Sequence, residues 1–373
     1  MLAKSSFSLA FFIFSSPSSR LIDWIGYKQT LVVSLFVQVV GSLMFIFAAK
    51  LVNFPLFLSA VFVVEAGVTG LRVSANPYVA ILGTEDRFSV RLTLAQAFNS
   101  IGALLAPLLG GAFILTSSPK LESKAAIAAT VRGPYLIIAA GLLVLCVAVA
   151  PTRLSHIEHP QEVQTSQEDE AAPGRNVLRY RHTVLGAVGN FLYVGVEVGL
   201  ASIAVNYFKL EGISSLKTAS YLVLLYWFGA MVGRLLGSWV LTRMQAGKLL
   251  GVFGVCSPSL LAVSALTSGQ VAIGALVLCG FFNSIQFPNI LALGIAGLGS
   301  MTNRGSGLIM TAIIGGAIIP YLLGALADQV GIQRSFVLPI ACYLYIAWYG
   351  LWGRNRKKQP KALSLGLKVA LRP

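Results

Sequence analysis

The sequence predicts an all-α integral membrane protein of two pseudo-symmetric helical bundles, with about 11 transmembrane helices. Three observations carry this expectation. Hydrophobic residues make up 56% of the 373 positions and charged residues only 11%, against roughly 25% charged in soluble domains. A soluble protein so poor in charge could not cover its own surface. Apolar runs long enough to cross a hydrocarbon core recur along the whole length. Lipid offers no partners to bare backbone, so such runs must be helices. One long polar break, from Thr152 to Thr183, divides the series in two.

The apolar runs fall near 5–22, 30–49, 56–82, 91–117, 133–150, 184–207, 218–242, 248–267, 271–297, 305–327 and 335–352. The first begins like a secretory leader, with Lys4 before an apolar stretch from Phe7 to Phe14. No A-x-A cleavage pattern follows, and Ser15, Ser16, Pro17, Ser18 and Ser19 come instead. It therefore reads as a short, polar first span ending near Ile22. The polar break contains HPQEVQTSQEDEAAPGRN, which is acidic and non-periodic, as a flexible linker would be. The expected organisation is an N-terminal bundle at 1–151, a linker at 152–183, a C-terminal bundle of six helices at 184–353 and a basic tail at 354–373.

The net charge of +15 sits in short loops and tails rather than along one face, which argues against a nucleic-acid partner. Arg20, Lys28, Arg87, Arg91, Arg153, Arg175, Arg243, Lys248 and the tail lie on one side of the bilayer. Fewer cations, such as Lys50, Lys120, Lys209 and Arg334, lie on the other. The richer side, with the linker and C-terminus, is expected to be cytoplasmic, in a multi-pass protein of the cell (inner or plasma) membrane. Cys146, Cys256, Cys279 and Cys342 all lie in apolar runs with no histidine nearby, and read as packing residues rather than metal ligands. No phosphate-binding G-x-x-x-x-G-K-[ST] loop, H-E-x-x-H or G-x-S-x-G pattern occurs. An enzyme, an ATP-driven pump and a cofactor are therefore not expected.

The halves repeat each other. Ile101-Gly102, Pro107, Leu109 and Gly111-Ala112 recur 213 positions later as Ile314-Gly315, Pro320, Leu322 and Gly324-Ala325. Pro77 recurs as Pro288. Parallel repeats joined by a cytoplasmic linker are a common construction of solute carriers that work by alternating access. Five runs precede the linker and six follow it, so the first half is expected to lack its first helix, whether genuinely or through a misplaced start codon.

The stretch from Gly70 to Leu115, GLRVSANPYVAILGTEDRFSVRLTLAQAFNSIGALLAPLLGGAFIL, joins an ANPYV segment to a LAQAFNS block. Later come YVGVEVGLASIAVNYF, GRLLGSWVLTR and FFNSIQFPNILALGIAGLG. Together these resemble the fucose–proton symporter family of the major facilitator superfamily, with the YVGVEV and VNY segments nearer its glucose/galactose branch. The resemblance implies a twelve-helix major facilitator fold, a central sugar cavity and cation-coupled uptake. It also implies that Arg72 stands where fucose transporters carry an acid and glucose/galactose transporters an amide.

Gln96, Asn99 and Ser100 share one helix face. They read as hydrogen-bonding groups for sugar hydroxyls or, alternatively, as helix–helix glue. Glu197 lies in mid-span with Tyr193 one turn before it. A charged carboxylate there costs about 2.5–3.5 kcal/mol or more, so it should face a cavity, a partner or a proton. It is the candidate for sugar binding and proton coupling. Asn283, Gln286 and Phe287 precede Pro288, and read either as a cavity wall with Phe287 stacked on a sugar ring or as a Pro-kinked packing face. Glu65 and Arg72 are intramembrane charges seven residues apart, expected to offset one another. Arg234 reads as a clamp on a loop or helix end, away from solute.

The expected function is secondary active uptake of a monosaccharide, hexose or fucose-like, with a proton or sodium ion, by a monomer in the bilayer. The competing expectation is a truncated, transport-inactive membrane protein acting as a sensor or scaffold.

Overall fold

A computed structural model describes residues 2–84, 87–110, 132–152 and 176–353, and among these every regular element is helical. The expected linker, apart from its ends, and the basic tail lie outside the described residues. The helices are α1 (Leu2–Leu51), α2 (Phe54–Ile81), α3 (Phe88–Gly110), α4 (Arg132–Val149), α5 (Arg181–Leu210), α6 (Leu216–Val240), α7 (Ala246–Leu266), α8 (Gln270–Asn283), α9 (Gln286–Ile295), α10 (Thr302–Thr311), α11 (Gly315–Val330), α12 (Ile332–Ser335) and α13 (Val337–Trp348).

Among the described residues nine stretches are long and apolar enough to cross a membrane. The first, Leu9–Leu51, is 43 residues long. It turns at Gly26, whose φ of 78° suits glycine, and so covers the first two expected crossings. The fourth expected crossing is α3, whose C-terminal continuation lies outside the described residues. The all-α membrane fold and its count of crossings therefore stand as the sequence predicts.

Two expected crossings are broken rather than continuous. The run at 271–297 is α8 and α9, interrupted at Ser284 and Ile285. Pro288 has no N–H for the carbonyl of Ser284, so the α-helical ladder loses a rung there. The run at 305–327 is α10 and α11 joined by a 3-10 turn at Ala312–Ile314.

The turn end of the first arm of α1 is tied to α10. Asn303 Nδ2 donates to Asp23 Oδ1 at 2.7 Å, and the Tyr27 hydroxyl donates to Asn303 Oδ1. Arg304 Nε lies 3.8 Å from Asp23 Oδ2. The later helices pack around fully buried Tyr193, Tyr207, Tyr343 and Tyr349. There α5 and α11 approach until backbones nearly touch: a Cβ on Gly315 would stand 2.0 Å from the carbonyl oxygen of Phe191. Small residues permit such approaches where lipid gives helices no hydrophobic reason to associate. Gly102, the repeat counterpart of Gly315, has nothing within 4 Å of the same point among the described residues. The repeat thus preserves the glycine in both halves, while the described residues close only one of the two faces.

This asymmetry generates a prediction. Gly315→Ala should destabilise the detergent-solubilised protein by roughly 1–3 kcal/mol through overpacking. Gly102→Ala should stay within about 0.5 kcal/mol of the parent, as at an open surface. Thermal unfolding of the two variants measures the difference; equal effects would show that the two faces are packed alike.

Candidate solute-binding cavity

The site begins at the break between α8 and α9. Two carbonyls there are released from helical pairing, and side chains from other helices take them. Arg234 Nε donates to the Ser284 oxygen at 3.1 Å. The Tyr193 hydroxyl lies 3.0 Å from the Asn283 oxygen and 2.7 Å from Glu197 Oε1, so its one proton is shared between two acceptors.

Arg234 reaches the break because its helix comes close. A Cβ on Gly233 would stand 2.5 Å from the Phe281 oxygen, and one on Gly237 would stand 2.3 Å from Ile285 Cγ2. The two glycines of GRLLG therefore bring α6 against the broken helix. From there Arg234 extends in three directions. Its Nη2 lies 3.9 Å from Glu197 Oε1 on α5, with both side chains largely buried. Its Nη1 donates to Ser100 Oγ and lies 3.4 Å from the Gln96 carbonyl oxygen, both on α3. One guanidinium thus joins four helices.

Beside it is a cavity of about 220 Å³ lined by Arg72, Gln96, Asn99, Ser100, Glu197, Trp227, Arg234 and Phe287, with Ala103, Val194, Val198 and Ile313 completing the wall. Gln96 is braced from α2, its Nε2 donating to Asn76 Oδ1 at 3.0 Å. Asn99 presents its amide to the cavity with no hydrogen bond among the described residues. A larger space of about 440 Å³ lies between the arms of α1 and the middle of α2. Its wall is mostly apolar, with Phe14, Leu21, Trp24 and Val33, and its polar side chains are Ser18, Arg20 and Ser34. The smaller cavity is the better candidate, because polar groups in a confined space give orientation and specificity.

Of the residues singled out in the sequence, Gln96, Asn99, Glu197, Phe287 and Arg72 line this cavity. Tyr193 stands behind Glu197 and holds it. Asn283 and Gln286 are corrected: neither lines it. The Asn283 amide donates to Tyr226 at 2.5 Å, and Gln286 Nε2 donates to Ser257 Oγ and the Phe282 oxygen at 3.0 Å each. Of the two readings the sequence left open, the Pro-kinked packing face is the one these contacts fit: with the break at Ser284, both amides pack against α6 and α7. Glu65 is also outside the cavity, and its Oε2 is buried without a hydrogen-bond partner. Among the described residues it makes no ion pair with Arg72, whose guanidinium instead lies 5.8 Å from the ring centre of Phe11. Arg234 does clamp a helix end, at Ser284, but it also lines the cavity, contrary to expectation. Trp227 was missed; it lies seven residues before Arg234, hence on nearly the same face of α6.

Among the described residues no group of three or more His, Cys, Asp or Glu could hold a metal ion, and all four cysteines are free thiols.

Comparison with known proteins agrees with this architecture. The profile of the Major Facilitator Superfamily matches residues 1–313. The chain is 41% identical over 355 residues to a glucose/galactose transporter of Brucella abortus, covering 95% of this chain and 85% of that protein. It is 31% identical over 366 residues to the L-fucose-proton symporter of Escherichia coli K12, covering 92% and 82%. A crystal structure of the Escherichia coli fucose:proton symporter superposes with a TM-score of 0.86 at 30% identity, covering 95% of this chain and 90% of that one. This multi-pass membrane protein belongs to the Major Facilitator Superfamily, with relatives among its glucose/galactose transporters and fucose–proton symporters.

Proposed function

We propose that this protein is a secondary active transporter that takes up a monosaccharide by alternating access, with a proton as the coupling ion. The observation that carries the reading is the cavity itself. It brings amides from α3, a carboxylate from α5 and aromatic faces of Trp227 and Phe287 around a space of about 220 Å³. Amides and carboxylates hydrogen-bond hydroxyls, and aromatic faces accept the apolar side of a sugar ring. Relatives named for glucose, galactose and fucose transport support the substrate class. The proton in place of sodium draws support from the fucose symporter alone.

Glu197 is the coupling group in this reading. It shares the cavity with solute and lies 3.9 Å from Arg234. Gaining a proton removes its charge and loosens that pair. Arg234 also grips α3, so the protonation state of Glu197 bears on how α3 and α6 hold together. Residues 1–151 and 184–353 act as two bundles that rock about this point, in a monomer.

Two outcomes are expected. Glu197→Gln should abolish sugar accumulation driven by a pH gradient while retaining sugar exchange in proteoliposomes. Unchanged accumulation would remove Glu197 from the coupling step, and loss of all binding would assign it to sugar recognition alone. The excess of Lys and Arg supports a cytoplasmic linker and C-terminus. An impermeant thiol reagent added to intact cells should therefore fail to label Ser166→Cys or Lys361→Cys; ready labelling would invert the topology.

A further inference from the structure

The larger space, between the arms of α1 and the middle of α2, shares no lining residue with the solute cavity. It runs along the first arm of α1 from Phe14 to Trp24, about 15 Å of helix. That is half of a hydrocarbon core of about 30 Å, the depth of one leaflet. Its wall on α2 is Ala66, Gly67 and Gly70, small residues that leave room for a chain. Val33 lines it from the second arm and is exposed. Phe36, Val40, Leu43 and Phe47 follow Val33 at helical spacing and are exposed as well. An apolar stripe of this kind on an outer helix face is turned toward lipid. The groove therefore opens sideways, into the bilayer.

The end of the groove nearest the Gly26 turn has a different character. Trp24 stands there 81% exposed, and tryptophan so placed marks the level of the lipid headgroups. Arg20, one turn before it, lines the groove and is exposed. Among the described residues Arg20 makes no hydrogen bond and no ion pair. The nearest acid in sequence, Asp23, is engaged elsewhere: its Oδ1 accepts from the Asn303 amide at 2.7 Å, and its Oδ2 lies 3.8 Å from Arg304. Lys28 adds a further cation to the same turn.

The planar fork of arginine matches phosphate oxygens. A zwitterionic headgroup would bring its own cation toward Arg20 and Lys28, whereas an acidic headgroup brings none. The same count of Lys and Arg that supports a cytoplasmic linker supports the cytoplasmic side for this turn. The cytoplasmic leaflet is the one that carries acidic lipids, and basic pockets between helices on that side bind their headgroups.

We infer that this groove is a binding site for one acidic phospholipid, whose phosphate meets Arg20 while an acyl chain lies between Phe14, Leu21 and Val33.

The test uses the full chain in vesicles of equal phosphatidylcholine and phosphatidylglycerol, with Trp24 kept and phenylalanine at Trp227, Trp239, Trp348 and Trp352. Bromine is carried on the acyl chains of one lipid or the other, so the bilayer stays the same and only the quencher moves. Quenching of Trp24 should show about five-fold enrichment of phosphatidylglycerol, the worth of one basic residue at an acidic surface. Arg20→Gln should bring the two labels to equality, and Arg20→Lys should keep part of the enrichment. Arg243→Gln, at another exposed cation, should leave it unchanged. The comparison of the two labels needs no change at Arg20, so a poorly folding Arg20 variant does not spoil the test. Equal quenching by both labels with Arg20 in place would overturn the inference. So would an equal loss of enrichment in Arg20→Gln and Arg243→Gln, which would show a diffuse field instead of a site. Displacement of the lipid by inorganic phosphate at matched ionic strength would assign Arg20 to a free anion and overturn it as well. Quenching by neither label would put protein, not lipid, over the groove.

Discussion

The arrangement of the site depends on one missing hydrogen bond. Pro288 offers no N–H to the carbonyl of Ser284, and a bare carbonyl in a membrane must find a donor from elsewhere. Arg234 supplies it at 3.1 Å. Once held there, the guanidinium is fixed within reach of Glu197 on one side and Ser100 on the other. Tyr193 takes the next free carbonyl, that of Asn283, and steadies Glu197 through the same hydroxyl. The broken helix is therefore the device that gathers a cation, a carboxylate and a phenol at one depth.

Among the described residues, two polar clusters that join the earlier helices to the later ones differ in chemistry. At the turn end of α1, Asp23 and Tyr27 meet the buried Asn303 and the exposed Arg304. At the cavity, Arg234 meets Ser100 and the Gln96 carbonyl in a largely buried setting. Solvent screens the exposed Arg304–Asp23 pair far more than the buried contacts of Arg234. The buried set is the one that adjoins the cavity.

Much of this was legible in the sequence, for definite reasons. Composition and run length fix the membrane fold because lipid admits few backbone solutions. The face of Gln96 and Asn99 was readable because α3 stays regular through that stretch. For Asn283 and Gln286 the sequence left a cavity wall and a Pro-kinked packing face both open, and the helix break between them decides for packing. Pro288 signals such a break, but the sequence does not say how far each piece rotates. Arg234 was assigned to a helix end and kept away from solute. Its entry into the cavity follows from the close approach permitted by Gly233 and Gly237, which is a tertiary fact. Glu65 and Arg72, about two helical turns apart, make no direct ion pair among the described residues, and their expected offset is one of charge at a distance.

The central claim is that solute occupies the cavity between Trp227, Phe287, Glu197 and the α3 amides. Trp227 is a native reporter there, and the other four tryptophans, Trp24, Trp239, Trp348 and Trp352, are absent from its wall. The direct measurement is the emission of a protein that keeps Trp227 and carries phenylalanine at the other four positions, titrated with transported sugar. The account predicts a saturable change in emission whose midpoint follows the transport affinity. A protein that still transports, yet shows no response at Trp227 through saturation, would place the solute elsewhere.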